Sequence, residues 1–152
     1  MTIYFASDHA GFELKNGLVE FVTKLGFEVF DLGPEMYDEN DDYPDFVSKV
    51  AEMISKNPED RGIVIGGSGQ GEAIVCNRYP NVRAVVYYGG PEEIITLSRA
   101  HNDANILSLG ARFVDQKEID EVVKTWLLAQ FSNGTNHVRR IKKIDQLITN
   151  NI

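Results

Sequence analysis

Five short apolar, β-prone bursts alternate along this chain with stretches of helical period, and few folds accept that alternation. The bursts cover residues 3–6, 27–32, 62–65, 83–88 and 104–109. After the first, Leu14, Leu18, Phe21 and Leu25 share one helix face, and Gly26 is placed to end that helix. Tyr43-Pro44 opens a second helix carrying Phe46, Val47, Val50, Ala51 and Ile54. Further helices are predicted over residues 72–78, 91–100, 116–131 and about 137–148. The pattern predicts an α/β fold, a five-stranded parallel sheet with helices on both faces and right-handed crossovers. No repeat, low-complexity tract or linker interrupts it, so residues 1–152 are expected to form a single domain, with the last helix reaching a partner subunit.

Ligands of open α/β sheets bind beyond the carboxyl ends of the strands. Asp8-His9 follows the first burst, Ser68–Glu72 the third and Arg112 the fifth, while His101-Asn102-Asp103 closes the preceding helix. Gly66, Gly67, Gly69 and Gly71 let successive N–H groups converge on an anion or a developing oxyanion. The loop is no Walker motif, because Glu72 stands where Lys would be needed, and it lacks the third glycine of G-x-G-x-x-G. Glu72 beside such a nest pairs a base with an oxyanion stabiliser, which proton abstraction next to a carbonyl requires; alone it would read as an ordinary helix N-terminal Glu.

Other residues carry two readings each. Asp8 suits an N-cap as well as a site. His101 suits a helix C-terminus, yet Ile94, Leu97 and His101 share one face, which would turn it inward with the core. In the last helix Val138, Ile141, Ile144, Leu147 and Ile148 form an apolar stripe, and Arg140 falls within it. Arg140 is therefore drawn toward a packed surface and needs an anion there, a phosphate or an interface carboxylate. Arg139, Lys142 and Lys143 fall on the solvated face. Asp38-Glu39-Asn40-Asp41-Asp42 reads as a solvated acidic loop, and Cys76 as a core thiol. No His, Cys or Asp spacing reads as a metal site.

A formal net charge of −8 opposes binding to nucleic acid or anionic membrane but leaves room for a small phosphorylated ligand. With 1 Cys, no signal-like N-terminus and no run of membrane-spanning length, the expected location is the cytoplasm.

Four segments carry a resemblance: Ser7-Asp8-His9-Ala10-Gly11-Phe12-Glu13-Leu14-Lys15, Asp42-Tyr43-Pro44, Gly66-Gly67-Ser68-Gly69-Gln70-Gly71-Glu72, and Ser98-Arg99-Ala100-His101-Asn102-Asp103-Ala104-Asn105. In that order, over about residues 2–148, the chain resembles the ribose-5-phosphate isomerase B family, which includes allose-6-phosphate and galactose-6-phosphate isomerases. The resemblance implies a Rossmann-like three-layer αβα sandwich, a homodimer or dimer of dimers with shared active sites, and neither metal nor organic cofactor. It implies an aldose–ketose isomerase acting on ribose 5-phosphate through a cis-enediolate. Asp8 and His101 would assist ring opening, Glu72 would move the proton, and Ser68 with the Gly67–Gly71 loop, including Gly69 and Gln70, would hold the enediolate. His9, Arg112, His137 and Arg140 would bind phosphate and Asn102 the sugar hydroxyls, His101 and Asn102 coming from the neighbouring subunit. One branch of the family has a Cys base where this chain has Gly66, so this chain matches the carboxylate branch; many members have Arg in place of Asn136.

Two alternatives remain: a six-carbon aldose phosphate isomerase, and a non-catalytic phosphosugar-binding module. A receiver domain would need Asp at the end of the third strand and Lys at the end of the fifth, where Gly66 and Gly110 stand.

Overall fold

A computed structural model of the chain describes residues 1–149, and their side chains as far as residue 147. Five strands form one sheet, β1 (Thr2–Ser7), β2 (Glu28–Asp31), β3 (Arg61–Gly66), β4 (Ala84–Tyr87) and β5 (Ile106–Gly110). Their order is β2-β1-β3-β5-β4 and every neighbouring pair is parallel. The helices are α1 (Phe12–Lys24), α2 (Pro44–Lys56), α3 (Gln70–Cys76), α4 (Glu93–Asn102), α5 (Ile119–Leu128) and α6 (Thr135–Thr149), with a 3-10 turn over His9–Gly11. The α/β architecture expected from the alternation is the one that forms.

The two-residue period of the strands divides the core between two faces. Ile3, Phe5, Ile63, Ile65, Leu107 and Leu109 meet Leu18 and Val22 of α1 and Val123 and Trp126 of α5. Tyr4, Ala6, Val64 and Ile106 meet Val47, Val50 and Ile54 of α2 and Cys76 of α3. Burial on both faces is why β1, β3 and β5 read as largely apolar runs, whereas β2, at the sheet edge, is mostly exposed. Cys76 is fully buried, and burial pushes its thiol up to about 12, so it stays a neutral core residue. No described helix is long and apolar enough to cross a membrane.

Three expectations are corrected. The helix predicted over 116–131 is shorter, since Asp115 takes the N–H groups of Lys117 and Ile119 in a turn and Ala129 is extended. On α4 the face of Ile94, Leu97 and His101 points outward, with Ile94 52% and Leu97 38% exposed, and Ile95, Ser98 and Arg99 are buried instead. The polar members are satisfied there: Ser98 Oγ donates to Ile95 O and accepts from Trp126 Nε1, and Arg99 reaches Asp103 and Ala104 O. Third, Arg140 is exposed in a single chain, where the stripe around it is only partly covered: Val138 and Ile141 are half-buried, Ile144 is 45% and Leu147 65% exposed. The side chain of Ile148, the last of that stripe, lies outside the described residues.

The strand order places one crevice. From β1 the chain passes to β2 on one side, and from β3 it proceeds to the other, so the connections diverge between β1 and β3 at their carboxyl ends.

Candidate active site

Strand β1 delivers Asp8 to that crevice. Asp8 is 7% exposed, and its Oδ1 accepts from Gly11 N at 3.1 Å, capping the 3-10 turn. The capping carboxylate also lines the crevice.

Strand β3 ends in the glycine loop, which is built around Glu72. A Cβ on Gly66 would lie 1.8 Å from Glu72 Oε1, so the carboxylate occupies the space a side chain at position 66 would need. Gly69 has φ +76°, a left-handed conformation that starts α3 and that glycine adopts without strain. Its carbonyl accepts from the fully buried Ser108 Oγ at 2.6 Å, which pins the loop to β5. Ala111 N and Arg112 N donate to Gly66 O and Gly67 O at 2.8 and 3.1 Å, so β5 and the loop stay zipped beyond the sheet. Ser68 Oγ accepts from Gln70 N at 3.3 Å and keeps its own hydrogen to donate elsewhere.

Glu72 is 3% exposed. Burial raises its pKa above 4.5, its own backbone N–H draws it back, and the neighbouring Asp8 charge raises it again. A carboxylate moved toward neutral pH is a better general base. Together Asp8, Tyr43, Gly67, Ser68, Gly71, Glu72, Arg112 and Phe113 line a cleft of about 450 Å³. Tyr43 and Phe113 were not among the residues expected here. Tyr43 covers the loop, its ring filling the space beside Gly71.

His9 sits beside the cleft, tied to Asp41 through Nδ1 at 2.7 Å. The expectation of a solvated acidic loop is thus wrong for Asp41, whose side chain is 7% exposed; Asp38, Glu39, Asn40 and Asp42 are exposed as expected. The Asp41 bond, more than any other influence, raises the His9 pKa above 6.5. Asp8, His9 and Asp41 bring potential ligand atoms within 4.8 Å of one another, a grouping no sequence spacing indicated. Those atoms already serve each other, Asp8 Oδ1 capping Gly11 and Asp41 Oδ1 holding His9.

The remaining expected residues are elsewhere. Helix α4 runs back between β4 and β5, so its C-terminus lies at the amino edge of the sheet. Asp103, next to Asn102, pairs with Arg83 just before β4. His101 stacks on His137 of α6, ring centroids 4.3 Å apart and planes at 9°. Desolvation, His101 and Arg140 all hold His137 below 6.5. His101, Asn102, His137 and Arg140 thus form a second group, separated from Glu72 by the length of a six-residue strand, about 20 Å. A second cleft of about 440 Å³, lined by Arg61, Arg99, Asp103 and Val138 among others, contains none of the expected site residues.

Residues 3–144 match the family model described as Ribose/Galactose Isomerase. A Mycoplasma genitalium protein named probable ribose-5-phosphate isomerase B is 42% identical over 143 residues, covering 93% of this chain and 92% of its own. The ribose-5-phosphate isomerase B of Mycobacterium tuberculosis is 36% identical over 141 residues, covering 93% and 86%. The crystal structure of ribose-5-phosphate isomerase B from Mycoplasma genitalium with bound ribulose-5-phosphate superposes with a TM-score of 0.92 at 40% identity, over 97% of this chain and 96% of that one. The Clostridium thermocellum ribose-5-phosphate isomerase B matches with a TM-score of 0.92 at 42% identity over 100% of both chains.

Proposed function

Since this chain belongs to the ribose/galactose isomerase family, we propose that its carboxyl-edge cleft interconverts ribose 5-phosphate and ribulose 5-phosphate through an enediolate, with Glu72 as the base. The observation that carries this reading is the buried Glu72 carboxylate seated on Gly66, in one cleft with Asp8, Gly67, the Ser68 hydroxyl and Gly71.

Asp8, with His101, assists opening of the furanose. Glu72 takes the proton from the second carbon of the aldose and returns it to the first. The charge that develops on the carbonyl oxygen is met by Ser68 and the N–H groups of Gly69, Gln70 and Gly71, with Gly67 leaving room for substrate. A well-aimed donor of this kind contributes about 3–4 kcal/mol. His9 and Arg112 take the phosphate at the carboxyl edge, aided by His137 and Arg140, and Asn102 takes sugar hydroxyls.

The two edges of one chain are too far apart for one substrate. We therefore place His101, Asn102, His137 and Arg140 in the site of a second copy, the outward Ile94–Leu97–His101 face and α6 packing at a homodimer interface. The chain acts as one catalytic domain, in the cytoplasm, without metal or organic cofactor.

The test is turnover of ribose 5-phosphate with chelator present, by the native chain and by Glu72→Gln. Ketose formation that survives chelator and falls about 10²–10⁴-fold in the variant is expected. Turnover restricted to six-carbon sugar phosphates would overturn the substrate, and an unaffected variant would overturn the base.

A further inference from the structure

Two N–H groups of His9, separated by the length of its own side chain, converge on one carboxylate oxygen. Backbone N donates to Asp41 Oδ1 at 3.0 Å, and ring Nδ1 meets the same atom at 2.7 Å. Asp41 lies 32 residues along the chain, its side chain is 7% exposed, and its second oxygen Oδ2 is buried without a hydrogen bond from the protein. Burying a carboxylate with one oxygen unsatisfied is costly, and closing a loop does not require it.

The ring chemistry supplies a reason. With Nδ1–H committed to Asp41, a neutral His9 would have a bare lone pair on Nε2 and would repel a phosphate oxygen. Only the imidazolium offers a donor there, and a carboxylate at Nδ1 favours that form. The groups facing the ring favour it on balance. Asp41 and Asp8 favour the cation, Arg112 opposes it, and Tyr37 meets the ring edge-on at 6.4 Å.

We propose that Asp41 is a positioning residue for substrate binding, holding His9 as an imidazolium whose Nε2–H is presented to the phosphate group of the sugar. The proposal rests on His9 being a phosphate ligand, and the test separates the two claims.

Inorganic phosphate serves as the probe, a competitive inhibitor of the full chain, against the native protein, Asp41→Asn, His9→Ala and the double variant. Asn retains an acceptor for both N–H groups but removes the charge. Asp41→Asn should weaken phosphate inhibition about tenfold and raise KM alike, with kcat changed by less than about threefold. His9→Ala should weaken phosphate comparably, and the double variant should be no worse than His9→Ala. With rising pH, native phosphate affinity should fade as His9 titrates above 6.5; in Asp41→Asn the fade should come at lower pH, phosphate's own titration cancelling between the two proteins. Full phosphate affinity in Asp41→Asn alongside loss in His9→Ala overturns the proposal alone, as do additive losses in the double variant. Full affinity in His9→Ala overturns the reading of His9 together with it. Should Asp41→Asn not fold, the titration of His9 followed by NMR in the native chain decides, a value at or below 6.5 overturning the proposal.

Discussion

Burial suits Glu72 to the proposed role of base and makes it a worse contributor to stability. Its pKa rises from 4.5 on folding, chiefly through desolvation. A carboxyl whose folded value is raised favours the folded state only while protonated, so it costs nothing below the unfolded value of 4.5. The cost sets in above 4.5, grows as pH rises toward the raised folded value and is complete beyond it. Glu72→Gln should therefore melt at a higher temperature than the native chain at pH 7 to 8, and the two melts should converge below about pH 4.5. A lower melting temperature for the variant at neutral pH would contradict this account. That Glu72, Ser68 and Asp8 line one cleft was legible because each sits at a strand end or in a glycine loop. Asp41 was not, because an exposed acidic run and a buried carboxylate look alike until the loop folds back on His9. Tyr43 was legible as a helix opener but not as the ring covering Gly71, since that contact joins segments far apart in sequence.

At the scale of elements, the junction of β3 with its loop is built for a missing side chain. A Cβ at Gly66 would displace the end of the Glu72 side chain, which can swing away without disturbing backbone. Gly66→Ala should therefore keep the fold and its melting temperature within a few degrees while losing on the order of 10²-fold or more in kcat, the contribution of the base. Circular dichroism and turnover measured together check this, and an active Gly66→Ala would mean that Glu72 works from another position. The strands and most helices were readable because a sheet covered on both faces imposes apolar runs, and α2 begins at the Pro that announced it. Helix α4 misled because two of its three buried residues are polar. Ser98 and Arg99 are hidden by hydrogen bonds, whereas Ile94 and Leu97 are left outside, so apolar periodicity chose the wrong side.

At the scale of the molecule, the sheet separates the two halves of the expected site by its own length. The candidate residues could be picked out in the chain and the resemblance implied a shared site, but the distance between the two groups could not be read from the residues, because it depends on which edge of the sheet each helix end reaches. Mixing two inactive variants tests the shared site. In randomly reassorted dimers of Glu72→Gln with His101→Ala, half are mixed and each mixed dimer has one intact site, so activity should recover to about a quarter of native. No recovery after verified subunit exchange would place each site within one chain. With a site shared as proposed, the opposite-edge placement of Glu72 and His101 would also tie output to dosage. When chains are scarce enough to be mostly single, the number of complete sites grows as the square of chain concentration, so halving expression would cut total flux about fourfold, where a self-contained enzyme would lose only half.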